Sequence, residues 1–253
     1  YVFTEEALIR QQKVLNFLED GILVLFEGPT GTSKTLTSDI CCELSGRKLI
    51  RFNISQETKL SYLAVQYDRD SNSQGRIFHT KGPFIVAFEE GQTLLLEEIK
   101  LANSECLRFI KYSLYIGIIN VKLPGMTLKE IHMHENFRLI VTNNPNNYNG
   151  FISRGFAIDY DFLSRFQAIC FQDFTRHELF EIAQGLATQF NYKFPSKLID
   201  ILIDFHIEWS KRVDYDDTQC FTVREIIATI HAFANNEDPY DAIMTIYGAR
   251  YKE

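Results

Sequence analysis

An apolar run, Ile22-Leu23-Val24-Leu25-Phe26, leads through Glu27 into Gly28-Pro29-Thr30-Gly31-Thr32-Ser33-Lys34-Thr35, and that junction constrains the fold more than any other part of the chain. A buried strand that opens into a glycine-rich turn and then into helix-forming sequence is the layout of a phosphate-binding loop. The chemistry asks for these residue types. Backbone N–H groups must converge on an anion, so the tightest positions favour residues without a Cβ. The helix that follows adds the partial positive charge of its N-terminus. Lys34 then reaches the outer phosphates, and the Thr35 hydroxyl is placed to hold Mg²⁺. One position departs from the pattern G-x-x-x-x-G-K-[ST]: Ser33 stands where the residue before the lysine is glycine. An ordinary strand–turn–helix corner would leave the conjunction of Gly28, Gly31, Lys34 and Thr35 without a reason.

Bulk properties narrow the classes further. The 253 residues, 45% of them hydrophobic, suffice for a real core in one large domain or two smaller ones. A net charge of −7 argues against direct nucleic-acid binding through a basic surface. No apolar run approaches the ~20 residues that a helical membrane span requires. Five cysteines, Cys41, Cys42, Cys106, Cys170 and Cys220, show no C-x-x-C spacing. Their odd number fits reduced thiols in a reducing compartment, nucleus or cytoplasm. Adjacent Cys41 and Cys42 read as small core residues of a helix. The first residue is Tyr1, so the expectation is a piece of a longer chain or a processed one.

Thr4 with Glu5 and Glu6 predicts a helix start, and Leu8, Leu15 and Leu18 its apolar stripe. After the loop a helix is expected from Lys34 to Leu44, then a strand from Lys48 to Asn53. Residues 67–76 read as a polar loop. Gly82-Pro83 opens a short helix through Glu90. Thr93 to Glu98 is a third strand, apolar enough to be buried on both faces. A helix follows from about Asn103 to Leu114. Residues 117–135, with Pro124-Gly125 in the middle, read as a β-hairpin. Phe137 to Thr142 and Gln167 to Phe171 complete the strands. From Thr175 onward the pattern is helical, at about 175–188, 195–211, 222–234 and 238–250. An α/β part at 1–172 is thus expected to precede an all-α part at 173–253.

A phosphate loop alone hydrolyses nothing. The reaction also needs a carboxylate for the metal shell and a group that orients or deprotonates the attacking water. Glu97 and Glu98 end a buried strand, and the carboxyl end of a strand is where open parallel sheets bind ligands. Glu97 is expected on the Mg²⁺ side, and Glu98 is expected to polarise the water. The next strand ends in Asn143-Asn144-Pro145, where an amide can donate to the outer phosphate. His132 and His134 face one side of the hairpin, but two ligands do not make a metal site. Trp209 and the many Phe read as core.

Several phrases together resemble a AAA+ ATPase module of the branch that contains MoxR proteins and midasin. They are Leu25-Phe26-Glu27-Gly28-Pro29-Thr30-Gly31, Arg51-Phe52-Asn53-Ile54-Ser55-Gln56-Glu57-Thr58, Gly82-Pro83-Phe84 and Ala87-Phe88-Glu89-Glu90-Gly91. Ile99-Lys100-Leu101-Ala102 and Asn136-Phe137-Arg138-Leu139-Ile140 continue the series. The resemblance implies an αβα P-loop NTPase sandwich with a mainly parallel five-stranded sheet of order 5-1-4-3-2, followed by a helical lid. It implies ATP and Mg²⁺ as cofactors and neighbouring AAA+ modules as partners in a hexameric or pseudo-hexameric ring. It assigns Asn144 to the sensor 1 position, Arg165 to the arginine finger and Arg224 to the sensor 2 arginine. Arg154 is a weaker match for the finger. The hairpin at 117–135 is similar to the insertion inside the second helix region of this branch.

Two departures bear on turnover. Ser33 puts a Cβ at the tight turn, and Glu97 replaces the usual Asp with a side chain one methylene longer. A ~1 Å misplacement can cost on the order of a hundredfold in rate. The expectation is firm ATP·Mg²⁺ binding with slow or partner-dependent hydrolysis, in a midasin-like remodelling ATPase related to ribosome assembly. Two alternatives stay open. One is a ring module that holds nucleotide with little hydrolysis; the other is a module of a different giant ring ATPase, dynein-like or mysterin-like.

Overall fold

The computed structural model describes residues 4–69, 77–122, 128–144, 160–190, 195–212, 221–235 and 237–248. Helix α1 (Glu5–Glu19) begins at Thr4, whose side chain accepts from the Ala7 amide at 3.2 Å. Strand β1 (Val24–Glu27) follows and runs through the loop into α2 (Lys34–Leu44). The other strands of the main sheet are β2 (Leu49–Asn53), β5 (Thr93–Glu97), β8 (Arg138–Asn143) and β9 (Gln167–Cys170). Their spatial order is β2-β5-β8-β1-β9, with every pair parallel. Numbering these five strands alone gives 5-1-4-3-2 from the far edge, the order that the resemblance implied.

Period-two alternation sorts each strand between two apolar layers. Leu25, Leu94, Leu96, Leu139 and Val141 enter one cluster, with Phe84, Phe88 and Ile110 from the helices on that face. Val24, Phe26, Leu95 and Ile140 enter the other, against Val14 and Leu18 of α1 and Cys41 and Cys42 of α2. Both faces of the sheet are therefore covered, and its central strands must be apolar throughout. Fully burying one such Leu or Phe contributes about 2 kcal/mol. Ionisation of Cys41 is opposed by the same burial, which pushes its thiol up to about 12. The four described cysteines, Cys41, Cys42, Cys106 and Cys170, are free.

The second helix region differs from the sequence expectation. It is broken into α3 (Leu60–Leu63) and α4 (Pro83–Glu90), and between them β3 (Val65–Arg69) pairs antiparallel with β4 (Ile77–Lys81). The insertion inside this region is thus at 65–81; of the stretch 67–76 that read as a loop, residues 67–69 belong to β3 and the rest lie outside the described residues. The physical reason is that residues 67–69 carry no alternating apolar pattern, so cross-strand backbone pairing decides the conformation of β3 and β4. A hairpin at 117–135 also forms, as β6 (Ile118–Lys122) with β7 (Leu128–His132), after α5 (Ser104–Ile116) and before β8. Lys81 and Lys129 from the two hairpins both donate to the carboxylate of Glu89 on α4.

After α6 (Tyr160–Leu163) and β9 come α7 (Arg176–Gln189), α8 (Ser196–Arg212), α9 (Val223–Ala234) and α10 (Pro239–Gly248). They enclose a third cluster that includes Leu179, Leu202, Ile203, Ile226, Ile230 and Tyr247. Trp209 packs against it and stacks on Phe205 with centroids 5.2 Å apart. Capping boxes start α7 and α9, Thr175 with Glu178 and Thr222 with Glu225. Each box satisfies two orphan N–H groups at once, which fixes where the helix begins. No helix among the described residues is long and apolar enough to cross a membrane.

Candidate functional site

The loop between β1 and α2 is shaped by what its glycines leave out. An added Cβ on Gly28 would lie 2.2 Å from the Phe171 carbonyl oxygen, and one on Gly31 would lie 2.6 Å from Cβ of Thr222. Gly28 therefore lets the loop pass the end of β9. Gly31 lets the first turn of α9 rest on the loop. Ser33 has φ 68° and ψ 23°, and its side chain caps nothing. It adopts the left-handed conformation that glycine would take there without a Cβ penalty. The first turn of α2 is left without a side-chain acceptor and so is open to an anion.

Lys34 is the buried centre of the site. Its Nζ donates to the carbonyls of Gly28 at 2.8 Å and Pro29 at 2.7 Å, and to Asn144 Oδ1 at 2.9 Å. Burial lowers its pKa to about 8, partly offset by the charges of Glu98 and Glu97. Lys100 and Arg224 are near enough to push it the same way as burial. The ammonium is thus held by neutral oxygens alone and is desolvated, the condition in which an incoming phosphate gains most.

Asn144 bridges the two halves. Its Nδ2 donates to Glu98 Oε1 at 2.7 Å, while its backbone carbonyl accepts from Lys100 Nζ at 3.1 Å. Lys34 must donate and Glu98 must accept, which fixes the orientation of the amide between them. Glu98 has φ 56°, and its N–H donates to Thr142 Oγ1 at 3.1 Å on the neighbouring strand. Ser33 and Glu98 are the two non-glycine residues with positive φ among the described residues. Such residues cost about 1–3 kcal/mol each and gather at functional sites. Here both lie in one cluster. Beside them, the Thr35 hydroxyl donates to Glu97 Oε1. Oxygen ligands of this kind suit a hard divalent cation.

The positions named from sequence divide as follows. Lys34, Thr35, Glu97, Glu98 and Asn144 come together, and Thr30 joins them through its hydroxyl, 3.4 Å from Asn144 Nδ2. Arg224 sits at the exposed start of α9, where its N–H donates to Thr222 Oγ1 at 3.2 Å. Arg165 joins none of these bonds; its guanidinium lies over the Tyr115 ring, 5.4 Å from the centroid. Arg154 lies outside the described residues. His134 Nδ1 accepts from the Asn136 amide at 3.0 Å, a turn-fixing role. No group of three or more His, Cys, Asp or Glu among the described residues is placed to hold a metal. Sequence reasoning did not single out Thr142, Lys100 or Thr222, because each acts through a partner far away in the chain.

A cleft of about 100 Å³ lies beside the loop, lined by Ser33 and Leu36 of the loop and α2, Arg10 of α1, and Ile182, Val223 and Ile227 of α7 and α9. It was not legible in the sequence, since four separate segments build it.

Ser33 supports a stability prediction. Replacing it by glycine removes the left-handed strain and adds unfolded-state entropy, terms of opposite sign. The strain is the larger, so Ser33→Gly should raise stability by about 1 kcal/mol, read as an upward shift of the urea midpoint at constant slope. An unchanged or lower midpoint would show that the Ser33 side chain has a compensating role.

Residues 23–166, more than half of the chain, match the family model of the AAA domain, dynein-related subfamily. The chain belongs to that family. Among known proteins the AAA domain is similar to midasin of Dictyostelium discoideum, 26% identical over 79% of this chain. It is also similar to midasin of Giardia intestinalis, 25% identical over 74% of it. The chain spans 3% and 4% of the length of these two relatives. An uncharacterized protein of Staphylococcus saprophyticus is 30% identical over 42% of this chain and 41% of its own length. A solved structure of a candidate ATPase from Cytophaga hutchinsonii superposes with a TM-score of 0.55 over 98% of this chain and 77% of that one, at 14% identity. That likeness bears on the fold of the AAA domain, an α/β sandwich followed by helices.

Proposed function

We propose that this AAA domain binds ATP with Mg²⁺ and hydrolyses it as one module of a ring-forming, midasin-like remodelling ATPase. The observation that carries this reading is the hydrogen-bonded series Lys34–Asn144–Glu98, which ties the phosphate loop to an acid at the end of β5. Loop N–H groups and Lys34 would hold the phosphates, with Gly28, Pro29, Thr30, Gly31, Thr32 and Ser33 forming the cradle. Thr35 and Glu97 would hold Mg²⁺. Bound Mg²⁺ would neutralise charge on the outer phosphates. Glu98 would take the proton of the attacking water, Asn144 would orient that water, and Arg224 would sense the outer phosphate from α9. The 173–253 part would act as the lid.

Arg165 would serve the site of a neighbouring module. Its exposure and its separation from the chain's own hydrogen-bond network support that role. Midasin similarity over most of the chain supports a place in a large assembly machine, with ribosome maturation as the substrate class that follows from it. A second reading, a module that holds nucleotide with little hydrolysis, is favoured by the contact of Glu97 with Thr35, where the side chain is one methylene longer than the usual Asp.

Steady-state phosphate release against chain concentration tests the proposal. Turnover per chain should rise as modules meet, and Arg165→Ala should flatten that rise by about tenfold or more while ATP affinity holds. Turnover independent of concentration and of Arg165 would refute a trans contribution.

A further inference from the structure

Asn144 is held from both its side chain and its main chain. Lys34 and Glu98 fix the side-chain amide. The main chain is held by a residue with no role so far: Lys100 Nζ donates to the Asn144 carbonyl at 3.1 Å. That bond falls where the sheet stops giving support. Strand β8 keeps register with β5 as far as Val141, and with β1 as far as Asn143, whose carbonyl accepts from the Gly28 amide at 3.3 Å. Asn144 is the next residue, one step past both ladders. A side-chain amide is aimed only as well as its backbone is held, so a group from outside the ladder must hold it. Lys100 reaches it from a rigid base. Glu98, with φ 56° and ψ 47°, turns the chain at the end of β5 into a short 3₁₀ turn, Ile99–Leu101. Leu101 N–H closes it on the Glu98 carbonyl at 2.9 Å, and Ala102 N–H on the Ile99 carbonyl at 3.0 Å. Ile99 and Ala102 are fully buried, in the apolar layer that also takes Leu94, Leu96, Leu139 and Val141. Half-buried Lys100 stands between these two anchors.

We propose that Lys100 is a positioning residue for hydrolysis: it pins the main chain of Asn144, so that the amide stays aligned between Lys34 and Glu98, and it does not hold the phosphates itself. This rests on the nucleotide reading given above. The two lysines divide one residue between them, Lys34 at the side-chain oxygen and Lys100 at the backbone oxygen. A bond from an ammonium to a carbonyl is charge-assisted and roughly twice as strong as a neutral one, which suits a single tether past the end of a ladder. Loss of the tether lets Asn144 drift while Lys34 and the loop N–H groups stay in place. A drift of ~1 Å in a positioning group costs on the order of a hundredfold in rate, and ATP binding feels little of it. The effect of Lys100 thus passes through Asn144 and falls on turnover.

The test is a double-mutant cycle on the whole 253-residue chain: the parent, Lys100→Met, Asn144→Ala and the two changes together. Methionine keeps most of the aliphatic stem and removes the donor. ATP affinity is read by calorimetry, and the chemical step by single-turnover phosphate release with chain in excess. Lys100→Met should release phosphate about tenfold or more slowly than the parent and bind ATP within about twofold of it. On the Asn144→Ala background the same change should cost nothing further, because the amide to be positioned is gone. ATP affinity that falls as far as the rate would make Lys100 a phosphate ligand and overturn the proposal. Losses that multiply in the double variant would also overturn it, and so would a parental rate in Lys100→Met. A parent chain that binds ATP and releases no phosphate would instead overturn the hydrolysis reading, and this assignment with it.

Discussion

Glu98→Gln should bind ATP as tightly as the parent and release phosphate about 10²- to 10⁴-fold more slowly, the range that one positioned general base contributes. The substitution keeps the shape of the side chain. The amide oxygen can still accept from Asn144 Nδ2, a bond of 2.7 Å in the parent, so the link from Asn144 to Lys34 survives. The left-handed backbone of Glu98, braced by Thr142, also survives, since it does not depend on the charge. What disappears is the ability to take a proton. Single-turnover phosphate release with chain in excess over ATP isolates that step from product release. Turnover within a few-fold of the parent would remove Glu98 from the role of base.

Gly28→Ala should be the most destabilising single-methyl change near the site. The new Cβ would meet the Phe171 carbonyl oxygen at 2.2 Å and the Phe171 Cβ at 2.7 Å. Neither can step aside cheaply. Gly28 N–H donates to the Asn143 carbonyl at 3.3 Å, and Phe171 N–H donates to the Glu27 carbonyl at 2.6 Å, so both segments are held to neighbouring strands. Overpacking of a rigid site costs about 3 kcal/mol. For a chain of this size that lowers Tm by roughly 6–12 °C. The comparison variant is Gly46→Ala, where an added Cβ would meet nothing within 4 Å. Its φ of 64° is strained for a residue with a Cβ but meets no collision, so Gly46→Ala shows what a conformational cost alone does to melting. Equal melting of the two would show that β9 can move away from the loop.

Much of the architecture was legible because its signals are local. Leu94-Leu95-Leu96 could only be a strand covered on both faces, and it feeds both apolar layers. The helical patterns at about 175–188 and 222–234 were readable, and the helices they mark each open on a capping box. The loop spacing and the acidic pair pointed to Lys34, Thr35, Glu97 and Glu98 before any contact was known. Relations between distant segments were not legible. Nothing local says that Gly31 must be bare because Thr222 rests on it, or that Arg10 shares a cleft with Ile182 and Val223. The 65–81 hairpin was missed for a related reason. Its pairing is carried by backbone hydrogen bonds between β3 and β4, and the polar composition of 67–76 hid two short strands.

The account turns on whether Lys34 and its neighbours receive a triphosphate with magnesium. Titration of the whole chain with a fluorescent ATP analogue, with and without Mg²⁺, for the parent and Lys34→Met, measures this directly. A charge-assisted hydrogen bond to phosphate contributes about 1.5–3 kcal/mol, and Lys34 is the cation that would donate it. The parent should bind with Mg²⁺-dependent affinity, and Lys34→Met should bind on the order of a hundredfold more weakly. Binding indifferent to both Mg²⁺ and Lys34 would contradict the assignment of the loop as a nucleotide site.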